Sequence, residues 1–457
     1  MDTTIVAIAT AHGQGGIGIV RVSGPAALSL VASLFRPYNE KSWAHRRPRQ
    51  LYLGTISDQG LDIDQVMCVY MPSPRSYTGE DVVEIHSHGG SLVLHRILSA
   101  LLKQGAVMAE AGEFTKRAFL NGRLDLVQAE SVIDIIEANN NQGLTMALSQ
   151  LKGNLSEEIE RLAQILKRLI AFLEASLDFP EDEIDRLDDE IVSASVTEVE
   201  GSIQRLLATY QQGRLYKDGI RTAIIGRPNV GKSSLLNVLL QESRAIVTDM
   251  PGTTRDTIEE VLNLGSLCLR VVDTAGIRET VDEVEMMGVA KSIEVMQEAD
   301  LILWVLDAQV GLTPQDEMLY QRIERTGTPV LALWNKIDLV DPSQMDPWPL
   351  SEVDVVHISA KYDTGLDKLL QKIEAKLTME SMLPVDGKMI TRYRHYQLLL
   401  QAEEDLQAYD LAVASGLPLD FQSIDLRSAY DRLNEILGKE GTEEIFDLIF
   451  KEFCLGK

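Results

Sequence analysis

Leucine and isoleucine return every third or fourth position through Leu148, Leu151, Leu155, Ile159, Leu162, Leu166, Leu169 and Leu173. That spacing lays one apolar stripe along a helix of 3.6 residues per turn, so long amphipathic helices are expected from about residue 119 to 215. The stripe breaks at Phe179-Pro180, where the acidic run Glu181-Asp-Glu-Ile-Asp reads as a solvated loop. Residues 1–118 carry a different pattern. Positions 17–22 and 66–71 alternate as strands do, and 92–102 repeat as a helix. From Ile220 strand-like and helix-like segments alternate, the mark of a parallel sheet with crossover helices. Helical spacing returns over 393–414, 423–437 and 442–453.

These patterns predict a multidomain fold, α/β plus all-α. Residues 1–118 form an N-terminal α/β domain, 119–215 the first part of a helical domain, 216–378 an α/β domain, and 379–457 the second helical part. The α/β block is read as an insertion into one discontinuous helical domain, with two separate helical domains as the alternative.

Composition narrows the setting. The 457 residues are 45% apolar and 25% charged, which suits several packed cores. No apolar run reaches about 18 residues and the start lacks a basic, cleavable leader, so a cytoplasmic protein without membrane contact is expected. Cys68 and Cys268 fall in strand-like runs without C-x-x-C spacing and are expected in cores. Cys454 stands in Cys454-Leu-Gly-Lys457, a poor match to a prenylation box because Gly456 is not aliphatic and lysine is an unusual last residue. The net charge of −26 repels phosphate backbones, so any nucleic-acid contact needs a local basic surface or a partner.

The chemistry is concentrated in the α/β block. Gly226-Arg-Pro-Asn-Val-Gly231-Lys232-Ser233 fits G-x-x-x-x-G-K-[ST], between a strand at 220–225 and a helix from about 234. Backbone N–H groups at such a turn face phosphates, Lys232 can reach the β- and γ-phosphates, and the Ser233 hydroxyl can ligate Mg²⁺. Three later motifs close strands in the order that guanine nucleotides require. Asp273-Thr274-Ala275-Gly276 brings a carboxylate to the Mg²⁺ shell and a glycine to the γ-phosphate. Asn335-Lys336-Ile337-Asp338 offers a carboxylate that can accept from both N1–H and the exocyclic amine of guanine, a pair that adenine lacks. Ser359-Ala360-Lys361 backs the base. All lie at the carboxyl ends of strands, where open α/β sheets bind ligands. A Ras-like GTPase is therefore expected. In Gly252-Thr253-Thr254-Arg-Asp256, Thr254 is assigned to Mg²⁺ and the γ-phosphate, with Thr253 as the alternative. Ile277 occupies the place where Ras-like enzymes carry a water-orienting glutamine, and Glu279, Asp282, Glu283 and Glu285 follow without the spacing choosing among them.

Two other patterns are weaker. Gly13-Gln-Gly15-Gly-Ile-Gly18 fits G-x-G-x-x-G, but a strand rather than a helix follows it, so it reads as a turn. Glu84, His86 and His88 share one strand face; a metal site is set against a ligand role for Glu84 and packing for the histidines.

Together with Gly15-Gly-Ile-Gly-Ile-Val-Arg21, Gly79-Glu-Asp-Val-Val-Glu84, Gly112-Glu-Phe-Thr-Lys-Arg-Ala-Phe-Leu-Asn121, Leu124-Asp-Leu and Cys454-Leu-Gly-Lys457, these motifs make the whole chain resemble the MnmE (TrmE) tRNA modification GTPases. The resemblance implies a GTPase domain inserted in a helical domain, with nucleotide contacts from Asn229 to Ser234 (Val230 and Gly231 included), at Thr248, Thr253 and Thr254, at Asp273 to Gly276, at Asn335, Lys336 and Asp338, and at Ser359, Ala360 and Lys361. It implies K⁺ bound by Asn229 and by a loop matching Thr248, Met250 and Thr253, in the place of an arginine finger. Glu285 matches the family's catalytic, water-orienting glutamate, beside Lys232 and Thr254. The N-terminal domain would have a folate-binding-like fold, form a homodimer and hold a 5-formyl-tetrahydrofolate-like cofactor through Arg21, Glu84, Arg123 and Lys457. With an FAD-dependent partner, MnmG (GidA), the family adds aminomethyl or carboxymethylaminomethyl groups to C5 of the wobble uridine of tRNA, using the folate one-carbon unit. Cys454 is a possible nucleophile toward uridine C6, or a small residue beside the folate. The rival readings are a regulatory switch GTPase, in ribosome assembly for example, and a folate-dependent one-carbon transferase that uses GTP for gating alone.

Overall fold

A computed structural model describes residues 3–11, 13–39, 43, 45–178, 189–244, 260–264, 267–272, 295–341, 350, 352–378, 388–454, 456 and 457. The chain divides into two compact units: Met1–Ile136 with Ala147–Gln204 and Arg394–Lys457, and Glu137–Met146 with Arg205–Tyr393. The second thus interrupts the first along the chain.

The first unit begins with a seven-stranded sheet of β1 (Ile5–Ile8), β2 (Gly15–Ser23), β3 (Phe35–Pro37), β4 (Leu51–Asp58), β5 (Leu61–Met71), β6 (Val82–Gly89) and β7 (Val107–Met108), in the order β3-β4-β5-β6-β2-β1-β7. Only the β1–β7 pair is parallel. Alternation along the strands sorts the faces. Val20, Val22, Val66, Cys68, Val83 and Ile85 bury against Val31 and Leu34 of helix Ala27–Leu34 and Leu94, Ile97 and Leu101 of helix Ser91–Lys103. Arg21, Glu84 and His86 are partly buried positions of the opposite parity. The glycine-rich run 13–18 leads into β2, which pairs antiparallel with β1, so a turn and a strand form there and no nucleotide-binding helix follows.

The same unit holds helices from both sides of the interruption. The leucine stripe is split at Gly153 (φ 96°): Leu148, which is exposed, and Leu151 end helix Asn141–Leu151, and the positions from Leu155 on form helix Asn154–Asp178, which packs on Leu419–Leu437 with ion pairs Glu174–Arg427 and Glu160–Lys439. Helix Leu419–Leu437 starts four residues earlier than the apolar spacing indicated, directly after Pro418, whose fixed φ is compatible with a helix start. Glu130 is 2% exposed. Its carboxylate accepts from Arg394 Nε at 3.0 Å and Arg394 NH2 at 3.2 Å, and lies 2.7 Å from His395 Nε2. Arg394 also donates to the carbonyls of Glu435 and Ile436, at the negative end of helix Leu419–Leu437.

In the second unit a six-stranded sheet runs β13 (Asp354–His357), β12 (Val330–Asn335), β11 (Leu301–Asp307), β8 (Ile220–Ile225), β10 (Leu267–Val271) and β9 (Glu260–Leu264). It is parallel except for the β9–β10 pair. All seven residues of β11 are buried. Leu303 and Val305 enter one core, while Ile302, Trp304 and Leu306 enter the other. A strand covered on both faces has no reason to alternate, so its sequence reads as an unbroken apolar run.

Removing a partner from a buried ionic network leaves the others desolvated and unpaired. Glu130→Ala should therefore cost about 3–5 kcal/mol in a urea unfolding titration followed by circular dichroism; a loss under about 1 kcal/mol would show that this network does not join the two stretches of helical chain.

Candidate functional site

The first candidate site lies at the carboxyl ends of β8, β11 and β12 and on the loop after β13. The phosphate-type loop leaves β8 at Gly226 and ends in helix Lys232–Arg244, two residues earlier than the sequence suggested. Asn229 adopts a left-handed conformation, with φ of 64°. At Gly231, φ is +100°, and an added Cβ would fall 2.2 Å from Asn335 Nδ2. A side chain there would be strained by its backbone and would collide with the next loop, so the motif's second glycine is required for both reasons. The Lys232 ammonium donates to the carbonyls of Gly226 at 2.8 Å and Arg227 at 2.9 Å. Burial holds its pKa below the ordinary lysine value. A partly desolvated cation at a helix N-terminus favours an anion beside it. Ser233 and Ser234 occupy the first turn of the same helix, half-buried and exposed respectively.

Asn335 joins the loops. It is 2% exposed. Its Nδ2 donates to the Val230 carbonyl at 2.8 Å and its Oδ1 accepts from the Ala360 amide at 3.0 Å. Lys336, also left-handed, donates to the Asn229 carbonyl at 2.7 Å and to Asp307 Oδ2 at 2.6 Å. Ser359 Oγ donates to Asp338 Oδ1 at 2.6 Å, and the Lys361 ammonium lies 5.0 Å from the Tyr362 ring centroid. The three motifs predicted at 229–234, 335–338 and 359–361 thus meet through side-chain bonds. The glycine cradle, the half-buried ammonium and the hydroxyl at Ser233 fit a nucleoside triphosphate with Mg²⁺. Thr248, Met250, Thr253, Thr254, Asp273, Thr274, Ala275, Gly276 and Glu285 lie outside the described residues.

Asp307 was missed in the sequence. Its signal was available: a carboxylate closing an apolar strand at the same edge as Asn335. Arg227 was missed as well. Its Nε donates to the fully buried Asp316 at 2.8 Å, which Thr313 holds in a capping box at the start of helix Pro314–Thr326.

A second cluster lies in the first unit. Arg21 on β2 pairs with Glu84 on β6, Nε and NH2 each 2.9 Å from Oε1, and its NH1 donates to the Gly456 carbonyl at 3.3 Å. The guanidinium also faces the rings of Tyr77 and Phe114, at 5.5 and 5.6 Å from their centroids. The chain end reaches this cluster because Gly456, at φ +89°, presses on the backbone of Ile8 and Ala9, and because the Phe114 amide donates to the Lys457 carbonyl at 3.2 Å. Burial lowers the Lys457 pKa, and the nearby Arg21 lowers it further. The guanidinium and ammonium of this cluster are groups that can bind a carboxylate. Arg123 is placed differently. Its Cγ packs at Gly79, and among the described residues no hydrogen bond or ion pair joins it to Arg21, Glu84 or Lys457. Cys454 is an exposed free thiol.

His86 Nε2 lies 3.2 Å from Glu84 Oε2, while His88 pairs with Asp64 at 2.8 Å. Among the described residues no group of three or more His, Cys, Asp or Glu side chains is placed to hold a metal ion. The stretches 79–84 and 112–121 carry internal bonds: Arg117, 1% exposed, binds Glu80, Glu113 and the Thr3 carbonyl, and Asn121 Nδ2 donates to the Thr78 carbonyl.

Comparison with known proteins covers both units. The family model described as "GTP-binding protein TrmE N-terminus" matches residues 4–123, and that described as "MnmE helical domain" matches residues 126–454. The "tRNA modification GTPase MnmE" of Desulforamulus reducens is 42% identical over 463 residues, covering 100% of both chains. The protein of the same name from Moorella thermoacetica is 45% identical over 471 residues, again covering 100% of each. Among solved structures, Era of Aquifex aeolicus is 32% identical and covers 41% of this chain and 66% of its own, with a TM-score of 0.28.

Asn335→Ala strands a buried carbonyl and a buried amide, each costing about 1–3 kcal/mol. The variant is expected to bind GDP at least about tenfold more weakly in a fluorescence titration. Native affinity in a folded variant would remove Asn335 from its place at the junction.

Proposed function

Because this chain belongs to the MnmE family of tRNA modification GTPases, we propose that it is a K⁺-dependent GTPase that installs aminomethyl or carboxymethylaminomethyl groups at C5 of the tRNA wobble uridine. GTP hydrolysis in tRNA modification follows from the family, with GTP and Mg²⁺ as ligands. The observation that supports the GTPase part of this reading is the Asn335 junction, which bonds the phosphate loop to the loop expected to back the base.

In this reading Lys232 neutralises phosphate charge, Ser233 and Thr254 hold Mg²⁺, and Asp338 reads the guanine edge. Asp273 to Gly276, Thr248 and Thr253 complete the nucleotide contacts. K⁺, held by Asn229, Thr248, Met250 and Thr253, supplies positive charge where negative charge develops. Glu285 orients the attacking water, the task that Ile277 cannot perform. Domains 1–118, 119–215, 216–378 and 379–457 divide the labour: folate binding and homodimer formation in the first, a helical support in the second and fourth, and GTP turnover in the third.

Arg21, Glu84, Arg123 and Lys457 hold the 5-formyl-tetrahydrofolate-like cofactor. The cations take its carboxylates and Glu84 accepts from pterin N–H groups. The Arg21–Glu84 pair, with Lys457 near both, supports three of these positions, and Arg123 joins them through the ligand. The one-carbon unit supplies the added carbon. MnmG, the FAD-dependent partner, completes the complex, and tRNA is the substrate. Cys454 lies in the same terminal segment as Lys457, as a candidate nucleophile or a small neighbour of the folate. The reading places the protein in the cytoplasm; among the described residues no helix is long and apolar enough to cross a membrane.

Hydrolysis in KCl is expected to exceed that in NaCl by roughly tenfold or more, and Glu285→Ala should abolish turnover while nucleotide affinity stays near native. Equal rates in both salts would refute the K⁺ assignment, and an active Glu285→Ala would refute the glutamate's. Separately, Arg21→Ala should abolish calorimetric binding of 5-formyltetrahydrofolate by the full chain; binding at native affinity would exclude the proposed pocket.

A further inference from the structure

β11 ends on Asp307 beside the end of β12, in register with Asn335, and the Ala308 amide donates to the Asn335 carbonyl at 2.9 Å. The Asp307 residue is 7% exposed. Its two oxygens have separate tasks. Oδ1 accepts from the Gln309 amide at 2.9 Å, which fixes the carboxylate plane, and Oδ2 accepts from the Lys336 ammonium at 2.6 Å. The same ammonium donates to the Asn229 carbonyl at 2.7 Å. Asn229 and Lys336 both hold positive φ, 64° and 65°. Such conformations are unfavourable for residues with a Cβ and persist where surrounding bonds hold them. The Lys336 side chain is 31% exposed, so without a fixed counter-charge its ammonium can turn to water.

We propose that Asp307 is a positioning residue of the nucleotide site: its carboxylate holds Lys336 against the Asn229 carbonyl and so clamps the base-reading loop to the phosphate loop. The clamp acts in parallel with the Asn335–Val230 bond, one residue further along the phosphate loop. It differs in being charge-assisted, which roughly doubles the strength of such a bond. Asp307 meets the ligand only through Lys336. The consequence falls on retention: with the clamp open, either loop can leave the nucleotide while the other still holds it. The inference rests on reading Asn335–Asp338 as the loop that binds the base.

The test is a double-mutant cycle on the full-length protein, following dissociation of N-methylanthraniloyl-GDP by stopped flow. Asp307→Asn keeps an oxygen for the Gln309 amide and removes the charge. It should release nucleotide roughly tenfold faster, while the melting temperature of the nucleotide-free protein stays near native. In a Lys336→Ala background the same change should alter the rate less than about twofold, since the clamp is already gone. Native dissociation in Asp307→Asn, or additive effects in the cycle, would overturn the proposal. So would a lowered melting temperature with unchanged dissociation. If Lys336→Ala holds nucleotide too weakly for a rate, equilibrium GDP titrations of the four proteins report the same coupling. Asp338→Asn separates the two readings. Its preference should move toward xanthine nucleotides if the base loop is correctly assigned. A switched preference there, with unaltered dissociation in Asp307→Asn, sinks the clamp alone. No switch, with accelerated dissociation in Asp307→Asn, rejects the base assignment and leaves the clamp standing.

Discussion

One buried side-chain amide sets the geometry of the nucleotide site. Asn335 donates to the phosphate loop at Val230 and accepts from the Ser359–Lys361 loop at Ala360. Loops that grip the two ends of one guanine nucleotide must be held at a distance that it can span. Backbone bonds such as that from the Ala308 amide to the Asn335 carbonyl join neighbouring strand ends, while the phosphate loop and the 359–361 loop are joined through a side chain. An amide serves because it carries a donor and an acceptor on separate atoms. Burial makes the arrangement exacting: an amide that loses either partner is left desolvated, at about 1–3 kcal/mol for each group stranded. Gly231 follows from the same contact, since Asn335 Nδ2 fills the space that a side chain would need.

The sheet beneath makes those loops possible. Parallel strands bring every strand's carboxyl end to one edge, and β8, β11 and β12 are consecutive neighbours there. Gly226, Asp307 and Asn335 each close or directly follow one of these strands, so residues far apart in sequence become adjacent without any local signal between them. The first unit solves a related problem with the chain end. Gly456 lies flat on β1 and delivers Lys457 to the Arg21–Glu84 pair, at the expense of a lysine whose charged form is disfavoured by burial and by a neighbouring guanidinium. Glu84 offsets part of that repulsion.

What could be read from the chain beforehand was local and periodic. The strand at 220–225 and helix 393–414 appear with the limits their patterns gave, because each is decided by its own apolar spacing. The motifs at 226–233, 335–338 and 359–361 were legible because each is a short string with its own chemistry. The bonds between them were not: Asn335 to Val230 spans 105 residues, and His395 to Glu130 spans 265. The strand order β6-β2-β1-β7, with a parallel pair at one edge of an otherwise antiparallel sheet, likewise depends on which edges find each other. Asp307 closes a buried apolar strand, and only the position of Lys336 reveals its bond to the ammonium. Arg123 was grouped with Arg21, Glu84 and Lys457 by resemblance, while its own packing is against Gly79.

The account stands on a site built for guanosine triphosphate, and calorimetric titration of the purified full-length protein with GTP and with ATP, each with Mg²⁺, tests it most directly. It predicts saturable GTP binding at least about a hundredfold tighter than ATP binding, abolished by Lys232→Ala. Equal affinity for the two purines, or undiminished GTP binding by Lys232→Ala, would contradict it.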